Sequence, residues 1–240
     1  MLRRRLLVAF DFDHTMVEEN SDIVARKLIH VDLVPETVRK LYQTSGWTQY
    51  MAEIFKLLYN NKVKKETILD AMKKLTPTPN MLELLKWLKV EGHEMIIISD
   101  SNSVFIEEWL QKKNLQDFIK HVFTNPASFD ENGLLTIRPY QDQDWCDMST
   151  RNLCKGYILE TYLKERQAEG ASFDAIVYVG DGQNDLCPAL KLSEHDFVFP
   201  RAGFQLENSL KDPTLGEKLA AKVYTWTSAE EIRNNLENLQ

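Results

Sequence analysis

The sequence lacks the features that mark several common classes of protein. No run of 18 apolar residues occurs in its 240 positions, so no membrane-spanning helix is expected. Positive charge is scarce, with 29 lysines and arginines against 36 aspartates and glutamates and a net charge of −7. Because binding to a nucleic-acid backbone requires a positive field, we expect no nucleic-acid partner. Internal repeats and low-complexity tracts are absent too.

Cysteine is also rare, and the three cysteines are Cys146, Cys154 and Cys187. This odd number and the absence of an Asn-X-Ser/Thr sequon favour a reducing, cytoplasmic compartment. The apolar run at the start stops after five residues without a small-residue cleavage site, so no signal peptide is expected. Cys146 and Cys154 have no CxxC partner and no histidine at ligand spacing. We therefore expect structural or surface thiols here rather than two ligands of a zinc site.

Apolar runs of strand length alternate with segments of helical periodicity. The predicted strands are 6–10, 95–98, 175–179 and 196–199, and the clearest predicted helices are 81–90, 104–111 and 153–168. The strands end in polar residues, as the strands of a parallel sheet covered on both faces do. The pattern predicts an open α/β domain.

A long segment after the first strand carries only helical periodicity. Residues 17–79 therefore predict a helical cap domain, and residues 1–16 and 80–240 an α/β catalytic core. An insertion just after a strand lies over the edge at which open sheets bind ligands. Asn132-Gly133 predicts a tight hairpin turn within 123–140, and residues 141–151 predict an exposed loop.

The strongest chemical signal is the pair of carboxylates that follows the first strand. Asp11 and Asp13 are two apart, so on an extended chain both side chains point the same way. Two adjacent acids repel unless a divalent cation offsets their charge, which makes the pair a candidate catalytic and metal site. One carboxylate can attack phosphorus, and the other can protonate the leaving oxygen and later activate water.

A second acidic pair follows the strand at 175–179. Asp181 and Asp185 are four apart and share a face if the chain turns helical there. Ser99 ends another predicted strand and can hold a phosphoryl oxygen, while Lys155 can neutralise clustered aspartates. Taken singly, such a serine is usually a turn residue and such a lysine is usually solvated.

The chain carries four motifs in this order: the Asp11 and Asp13 pair, Ser99, Lys155, and the Asp181 and Asp185 pair. With this order of motifs, the whole chain resembles the haloacid dehalogenase superfamily. The resemblance implies a Rossmann-like open parallel sheet with a helical C1-type cap. It also implies Asp11 as nucleophile, Asp13 as acid and base, and Ser99 and Lys155 as phosphate ligands. It further implies Mg²⁺ held by Asp11, by the carbonyl of Asp13 and by Asp181, with Asp185 supporting that metal shell.

Several linking motifs resemble more narrowly the phosphoethanolamine/phosphocholine and pyridoxal phosphate phosphatase group. They are DFDHT with ENSD, the IISDSN run at 97–102, FTNP at 123–126 and GDGQNDLCP. The second run makes Asp100 a candidate substrate-binding residue. The cysteine-rich loop typical of that group is reduced here to Cys146 and Cys154. Phosphoserine phosphatases, which are similar too, carry Glu nine residues after the nucleophile, where this chain has Asn20.

Asp22 supplies an acid near that position and is a candidate to bind the positive or polar end of a substrate. As the first residue of a helical segment, it is equally a candidate helix cap. Trp47, Tyr50 and Phe55 are expected to be core residues of the cap rather than a pocket for a quaternary amine.

The leading hypothesis is a magnesium-dependent phosphatase for a small phosphomonoester: phosphocholine, phosphoethanolamine or pyridoxal 5′-phosphate. The alternatives are a phosphoserine-type or protein phosphatase, a phosphomutase, and a non-catalytic binding protein on the same fold. The sizeable cap disfavours large substrates because closure leaves a small chamber. No membrane partner is expected.

Overall fold

The computed structural model describes residues 4–44, 46–216 and 218–238. Its strands are β1 (Leu6–Phe10), β2 (Glu94–Asn102), β3 (Ile119–Asn125), β4 (Ala127–Phe129), β5 (Leu135–Ile137), β6 (Ala175–Gly180), β7 (Phe197–Pro200) and β8 (Lys222–Val223). Its helices are α1 (Ser21–Arg26), α2 (Glu36–Thr44), α3 (Trp47–Asn60), α4 (Lys65–Lys73), α5 (Met81–Val90), α6 (Ser103–Lys113), α7 (Lys155–Ala168), α8 (Leu186–Ala189), α9 (Gln205–Leu210), α10 (Pro213–Gly216) and α11 (Ala229–Glu237).

Six of the described strands form one parallel sheet in the order β3-β2-β1-β6-β7-β8. The chain builds this sheet outward in both directions from the central pair β1 and β6. Such a pair is a topological switch point, and a crevice opens at the carboxyl ends of its strands. Asp11 follows β1 and Asp181 follows β6, so both acids lie at that crevice. The α/β fold with a parallel sheet is confirmed.

The side chains of β1 alternate between two apolar clusters, one on each face of the sheet. Leu6, Val8 and Phe10 belong to the first cluster, and Leu7 and Ala9 to the second. All five are buried, as expected of a central strand covered on both faces. Helices α5, α6 and α11 contribute to the first cluster, and α7, α8 and α9 to the second.

Helices α1 to α4 fill the segment between β1 and α5. Their apolar side chains belong to the same cluster as the first face of the sheet. Phe55 of α3 packs edge-on against Phe105 of α6 at 5.7 Å between ring centroids, and Trp109 Nε1 donates to the carbonyl of Leu75 at 3.1 Å. The helical content predicted for this segment is observed. The division of the chain into a core and a cap domain stays a prediction.

The hairpin expected at Asn132-Gly133 is present as the antiparallel pair β4 and β5. Asp130 Oδ1 accepts hydrogen bonds from the backbone amides of Asn132 and Leu134, and Gly133 adopts a φ of +86°, which favours glycine. Residues 141–151 form a loop as expected, but Gln143 within it is buried. None of the described helices is long and apolar enough to cross a membrane.

Several predicted boundaries differ from the structure, most of them by one or two residues. Strand β2 was predicted to end at residue 98 but continues to Asn102, with an irregular register against β3 after Ser99. The predicted strand 196–199 is shifted by one residue, and the predicted helix 153–168 begins at Lys155. The periodicity of apolar residues cannot detect strand residues that are polar, because their hydrogen bonds to a neighbouring strand keep them extended.

Candidate active site

Lys155 lies at the centre of the candidate site. It is the first residue of α7, its side chain is fully buried, and its Nζ lies 2.7 Å from Asp185 Oδ1 and 2.9 Å from Asp11 Oδ2. Burial alone lowers the pKa of a lysine, but the charges of Asp11 and Asp185 outweigh it and raise the pKa of Lys155 overall. The ammonium therefore stays charged between two carboxylates.

Asp11 continues the line of β1 into the crevice. Its amide donates to the carbonyl of Val179 in β6 at 2.9 Å, which keeps the backbone attached to the sheet. Its Oδ1 accepts from the amide of Phe12 at 2.6 Å. Burial raises the pKa of Asp11 to about 6, an increase that Lys155 opposes and Asp185 adds to. Above that pH the carboxylate is available as a nucleophile.

Asp185 organises the loop that follows β6. Its two oxygens accept hydrogen bonds from Lys155 Nζ, from the hydroxyl of Tyr178 and from the amides of Asp181 and Gly182. A Cβ on Gly180 would lie 2.5 Å from this carboxylate, so a side chain there would displace it. With these partners, Asp185 is fitted to hold the neighbouring groups in place.

Asp11, Asp181 and Asp185 form a group in which one carboxylate oxygen from each lies within 4.8 Å of the others. Burial raises the pKa of Asp181 to about 8, and the charges of Asp11 and Asp185 raise it further than Lys155 can lower it. This buried cluster contains three carboxyl groups and only one ammonium group, so its negative charge is not fully compensated. Oxygen donors with uncompensated negative charge fit a hard divalent cation. The side chain of Asp13 is outside this group.

Asp13 points toward the start of the inserted helices. Its oxygens accept from the amide of Ser21 at 2.9 Å and from the hydroxyl of Ser21 at 3.1 Å. Burial raises the pKa of Asp13 well above its usual value, and the charge of Asp22 adds to the increase. A carboxyl group with a raised pKa keeps its proton to higher pH, which suits it to protonate a leaving oxygen.

Ser99 and Asp100 approach the site from β2. Ser99 is buried, and its Oγ accepts from the amide of Ser101 at 3.3 Å. The oxygens of Asp100 accept from Nδ2 of Asn152 at 2.9 Å and from Nδ2 of Asn184 at 2.6 Å. The charge of Asp100 also helps to raise the pKa of Lys155, so it lies near the central cluster.

Asp22 is buried, with 1% of its surface exposed, near Asp13 and Asp100. The helix cap expected of Asp22 is instead Asn20, whose Oδ1 accepts from the amide of Ile23. Asp22 Oδ2 accepts from Trp47 Nε1 at 2.5 Å, while its Oδ1 has no hydrogen-bond partner among the described residues.

The environment of Asp22 disfavours its negative charge. Burial raises the pKa of Asp22 to about 7, and Asp100 contributes to the rise, against the smaller lowering effects of Trp47 and Asn102. Nδ2 of Asn102 is itself without a hydrogen-bond partner among the described residues, so its approach to Asp22 falls short of a hydrogen bond. The free oxygen of Asp22 therefore has the capacity to bind a donor that enters the crevice.

Several residues that hold the site together were missed in the sequence. Ser21 and Tyr178 bind the carboxylates of Asp13 and Asp185, and Arg201 Nη2 donates to both carboxylate oxygens of Glu18 at 2.8 Å. Arg201 also donates to the carbonyl of His14, so it fixes the loop that follows Asp13. No spacing of residues in the sequence indicates these roles, because only the tertiary structure brings each side chain to its partner.

Comparison with known proteins gives a full-length match. The family model described as Putative Phosphatase matches residues 6–240. The chain is 36% identical over 238 residues to pyridoxal phosphate phosphatase PHOSPHO2 of Mus musculus, covering 98% of each protein. It is 32% identical over 239 residues to the phosphoethanolamine/phosphocholine phosphatase of Homo sapiens, covering 98% of this chain and 89% of the human protein.

Solved structures show the same fold. A phosphoserine phosphatase with an analogue of its phospho-aspartyl intermediate aligns with a TM-score of 0.60 at 21% identity, over 97% of this chain and 99% of that chain. A cytosolic 5′-nucleotidase IIIB bound to cytidine aligns with a TM-score of 0.60 at 15% identity, over 98% of this chain and 88% of that chain.

Proposed function

This chain belongs to the Putative Phosphatase family of the haloacid dehalogenase superfamily, and from that premise we propose that it hydrolyses a small phosphomonoester with a cationic or protonatable nitrogen at the end opposite the phosphate. Phosphocholine, phosphoethanolamine and pyridoxal 5′-phosphate are members of this class, and the names of two relatives refer to them. The observation that carries the proposal is the buried cluster of Lys155 with Asp11, Asp181 and Asp185.

The reaction proceeds in two steps through a phospho-aspartate. An oxygen of Asp11 attacks phosphorus, the bond from phosphorus to the substrate oxygen breaks, and Asp13 gives its proton to that oxygen. Water then attacks the same phosphorus and gives a proton to Asp13. The bond from phosphorus to Asp11 breaks, which releases inorganic phosphate and restores both carboxyl groups. Lys155 offsets negative charge on the phosphoryl oxygens throughout, and Ser99 donates a hydrogen bond to one of them.

Asp11, the carbonyl of Asp13 and Asp181 are the groups that would hold a Mg²⁺ ion. The ion supplies positive charge that draws the anionic phosphate into an acidic crevice. Asp185 holds Lys155 and the amides of the Asp181 loop, so its part is to orient the groups around the ion.

Removal of divalent metal should stop phosphate release. The three buried carboxylates would then repel the incoming phosphate with only Lys155 to oppose them. We expect turnover to fall at least about a hundredfold in EDTA and to return when Mg²⁺ is added in excess. Ca²⁺ added in the same excess is the matched control, since its larger size and looser geometry should restore much less activity. Full turnover in EDTA would remove metal from the reaction.

The substrate is tested with a panel of phosphorylated metabolites at equal concentration in Mg²⁺. We expect the highest kcat/KM among phosphocholine, phosphoethanolamine and pyridoxal 5′-phosphate, with phosphoserine and a neutral aryl phosphate lower. Phosphoserine also carries an ammonium at that end, but its carboxylate would be repelled by the acidic residues around Asp22. Preference for phosphoserine or for a phosphorylated protein would therefore contradict the proposed substrate class and would leave the phosphatase reaction itself intact.

Asp22 is proposed to bind the nitrogen end of the substrate. Its unpartnered Oδ1 is buried, so a positively charged donor placed there is weakly screened by solvent. Trp47, which donates to Oδ2, packs with Tyr50 at 5.3 Å between ring centroids, and both rings belong to the apolar cluster as expected, so they shield Asp22 from solvent.

Replacement of Asp22 with asparagine should change substrate preference. We expect kcat/KM for phosphocholine and phosphoethanolamine to fall roughly 10- to 100-fold, with a neutral aryl phosphate within about twofold of the parent. Asp32→Asn is the matched control, because Asp32 lies in the same segment with 82% of its side chain exposed. Equal losses on both kinds of substrate would assign Asp22 a structural role.

The stability of the same variant gives a second readout. Asp22 titrates at about 7 in the folded chain and near 4 when unfolded, so between these values the folded state binds more protons and stability falls as the pH rises. Asn removes this penalty, and D22N should be roughly 2 kcal/mol more stable than the parent at about pH 8, with little difference at about pH 4. Urea unfolding of the metal-free proteins measures both. A D22N protein less stable at pH 8 would mean that the carboxylate is needed by the fold.

A further inference from the structure

All three cysteines of the chain meet at one place in the fold. Cys187 Sγ lies 3.5 Å from Cys146 Sγ and 3.8 Å from Cys154 Sγ, and the three sulfurs lie within 4.8 Å of one another. Cys154 and Cys187 are buried, and Cys146 is partly exposed. They are all free thiols. The sequence showed only the pair Cys146 and Cys154, since Cys187 is 33 residues from the nearer of them.

The spacing of the sulfurs matches that of a tetrahedral zinc site. Zinc binds thiolates at about 2.3 Å, which places two sulfurs of one tetrahedron about 3.8 Å apart. The measured distances of 3.5 and 3.8 Å are close to that edge. A sulfur-only donor set is soft and selects zinc over the hard cations that the aspartates suit. We propose that Cys146, Cys154 and Cys187 bind one Zn²⁺ ion at a structural site separate from the acidic cluster.

The loop around Cys146 has the form of a metal-binding turn. The side-chain amide of Gln143 donates to the carbonyls of Cys146, Ser149 and Thr150, and its Oε1 accepts from the amide of Cys146. This buried amide fixes the loop in the absence of regular secondary structure. Burial raises the pKa of Cys146, but its hydrogen bonds with Ser149, with Cys187 and with the amide of Met148 lower the pKa overall. The amide of the residue two positions on thus donates to the ligand sulfur.

The three cysteines leave a fourth coordination position to be filled. Among the described residues, no further His, Cys, Asp or Glu joins the three sulfurs, and Ser149 Oγ lies 3.4 Å from Cys146 Sγ. Ser149 also lines a cavity of about 360 Å³ between residues 147–150 and 183–184. A water molecule or this hydroxyl would complete the coordination.

Cys187 is the most enclosed of the three thiols. Burial raises the pKa of the Cys187 thiol, and its cysteine neighbours contribute to the rise. A bound Zn²⁺ displaces the thiol protons and turns the thiols into ligands.

The position of the three cysteines beside Lys155 and Asp185 indicates the effect that a bound ion would have. Cys154 immediately precedes Lys155, and Cys187 follows Asp185 by two residues. The first turn of α7 packs closely on this point, because a Cβ on Gly156 would lie 2.5 Å from Cys187 Sγ. A zinc ion bound by the three sulfurs therefore joins the 141–153 loop, the start of α7 and the Asp185 turn. It positions Lys155 against Asp185 from outside the active site.

The test measures metal content in the untagged full-length protein, purified with reductant and dialysed against EDTA to remove weakly bound ions. We expect about one zinc per chain by mass spectrometry of the elements, and roughly a tenfold loss or more in each of Cys146→Ser, Cys154→Ser and Cys187→Ser. Asp147→Asn, in the same loop, is the matched control and should retain the metal. Asp181→Asn should also retain it while losing activity, which separates this site from the acidic cluster.

A second measurement uses the parent protein, so it tests the proposal even if the serine variants fail to fold. The parent protein, expressed in cobalt-supplemented medium, should show the charge-transfer and d–d absorption of Co²⁺ bound tetrahedrally by thiolates. Cysteine-specific modification of that sample should abolish both bands in proportion to the Co²⁺ released. Parent protein with neither zinc nor a cobalt–thiolate spectrum overturns the proposal, as does zinc that persists in all three serine variants. A Cys146–Cys187 disulfide in place of the metal overturns it as well.

Discussion

Replacement of Asp11 with asparagine should abolish phosphate release, by at least about a thousandfold, without loss of the fold. The amide keeps the shape of the carboxylate but cannot attack phosphorus. Its oxygen can still accept the hydrogen bond from Phe12, and Lys155 keeps its contact with Asp185 at 2.7 Å. The folded structure therefore loses one ionic contact, whereas the reaction loses the atom that forms the new bond.

Trapping the phosphoenzyme distinguishes this explanation from a general loss of activity. Acid-quenched parent protein should carry a phosphoryl group that hydroxylamine removes, as expected of an acyl phosphate, and D11N should carry none. Asp13→Asn is the matched comparison: it leaves the nucleophile in place and should slow both steps, so labelling persists at a lower rate. Near-normal turnover in D11N, or a labelled D11N protein, would contradict the covalent role of Asp11.

The largest effect on stability is expected at Lys155. Its ammonium is fully buried between Asp11 and Asp185, and removal of one partner of a buried ion pair leaves the other charges uncompensated. We expect Lys155→Met to lower the free energy of unfolding by about 3–5 kcal/mol and to lower kcat by at least about a thousandfold. Lys211→Met is the matched control, because Lys211 pairs with Glu207 but is 65% exposed.

The pH dependence of this loss identifies its cause. Without Lys155, the pKa of Asp11 in the folded chain should rise further from about 6, so the folded state takes up protons that the unfolded state does not. Stability of K155M should then fall as the pH rises from about 5 to about 8, and its difference from the parent should be largest at the higher value. Urea unfolding in EDTA measures this difference. A loss independent of pH would indicate poor packing of methionine rather than uncompensated charge.

The secondary structure that carries the site could be predicted from the sequence because its signals are local. Val8 and Phe10 alternate with Leu7 and Ala9, and all are buried, so the first strand was found with its correct ends. Helix α5 was found for the same reason, from its apolar residues at three- and four-residue intervals. Polar residues within β2 gave no such signal, since only pairing with β3 keeps them extended.

The candidate site could be predicted only as a set of residue types at strand ends. Asp11 and Asp181 follow strands of one parallel sheet, so their approach was expected from topology. The alternative in which Asp22 caps a helix could not be settled from sequence, because Asn20 is equally fitted to that position and in fact accepts the hydrogen bond. The full burial of Lys155 was likewise invisible, since a lone lysine in a sequence is usually solvated.

The sequence by itself determined the α/β class, the helical insertion, the acidic strand ends and the family, since these depend on periodicity and short motifs along the chain. Only the tertiary structure decided which side chains meet: Trp47 with the carboxylate of Asp22, and Cys187 with Cys146 and Cys154. These contacts join residues 25 to 41 positions apart. Their distances depend on strand order and on how helices α1, α3, α7 and α8 and the 141–153 loop pack, and no local pattern encodes either.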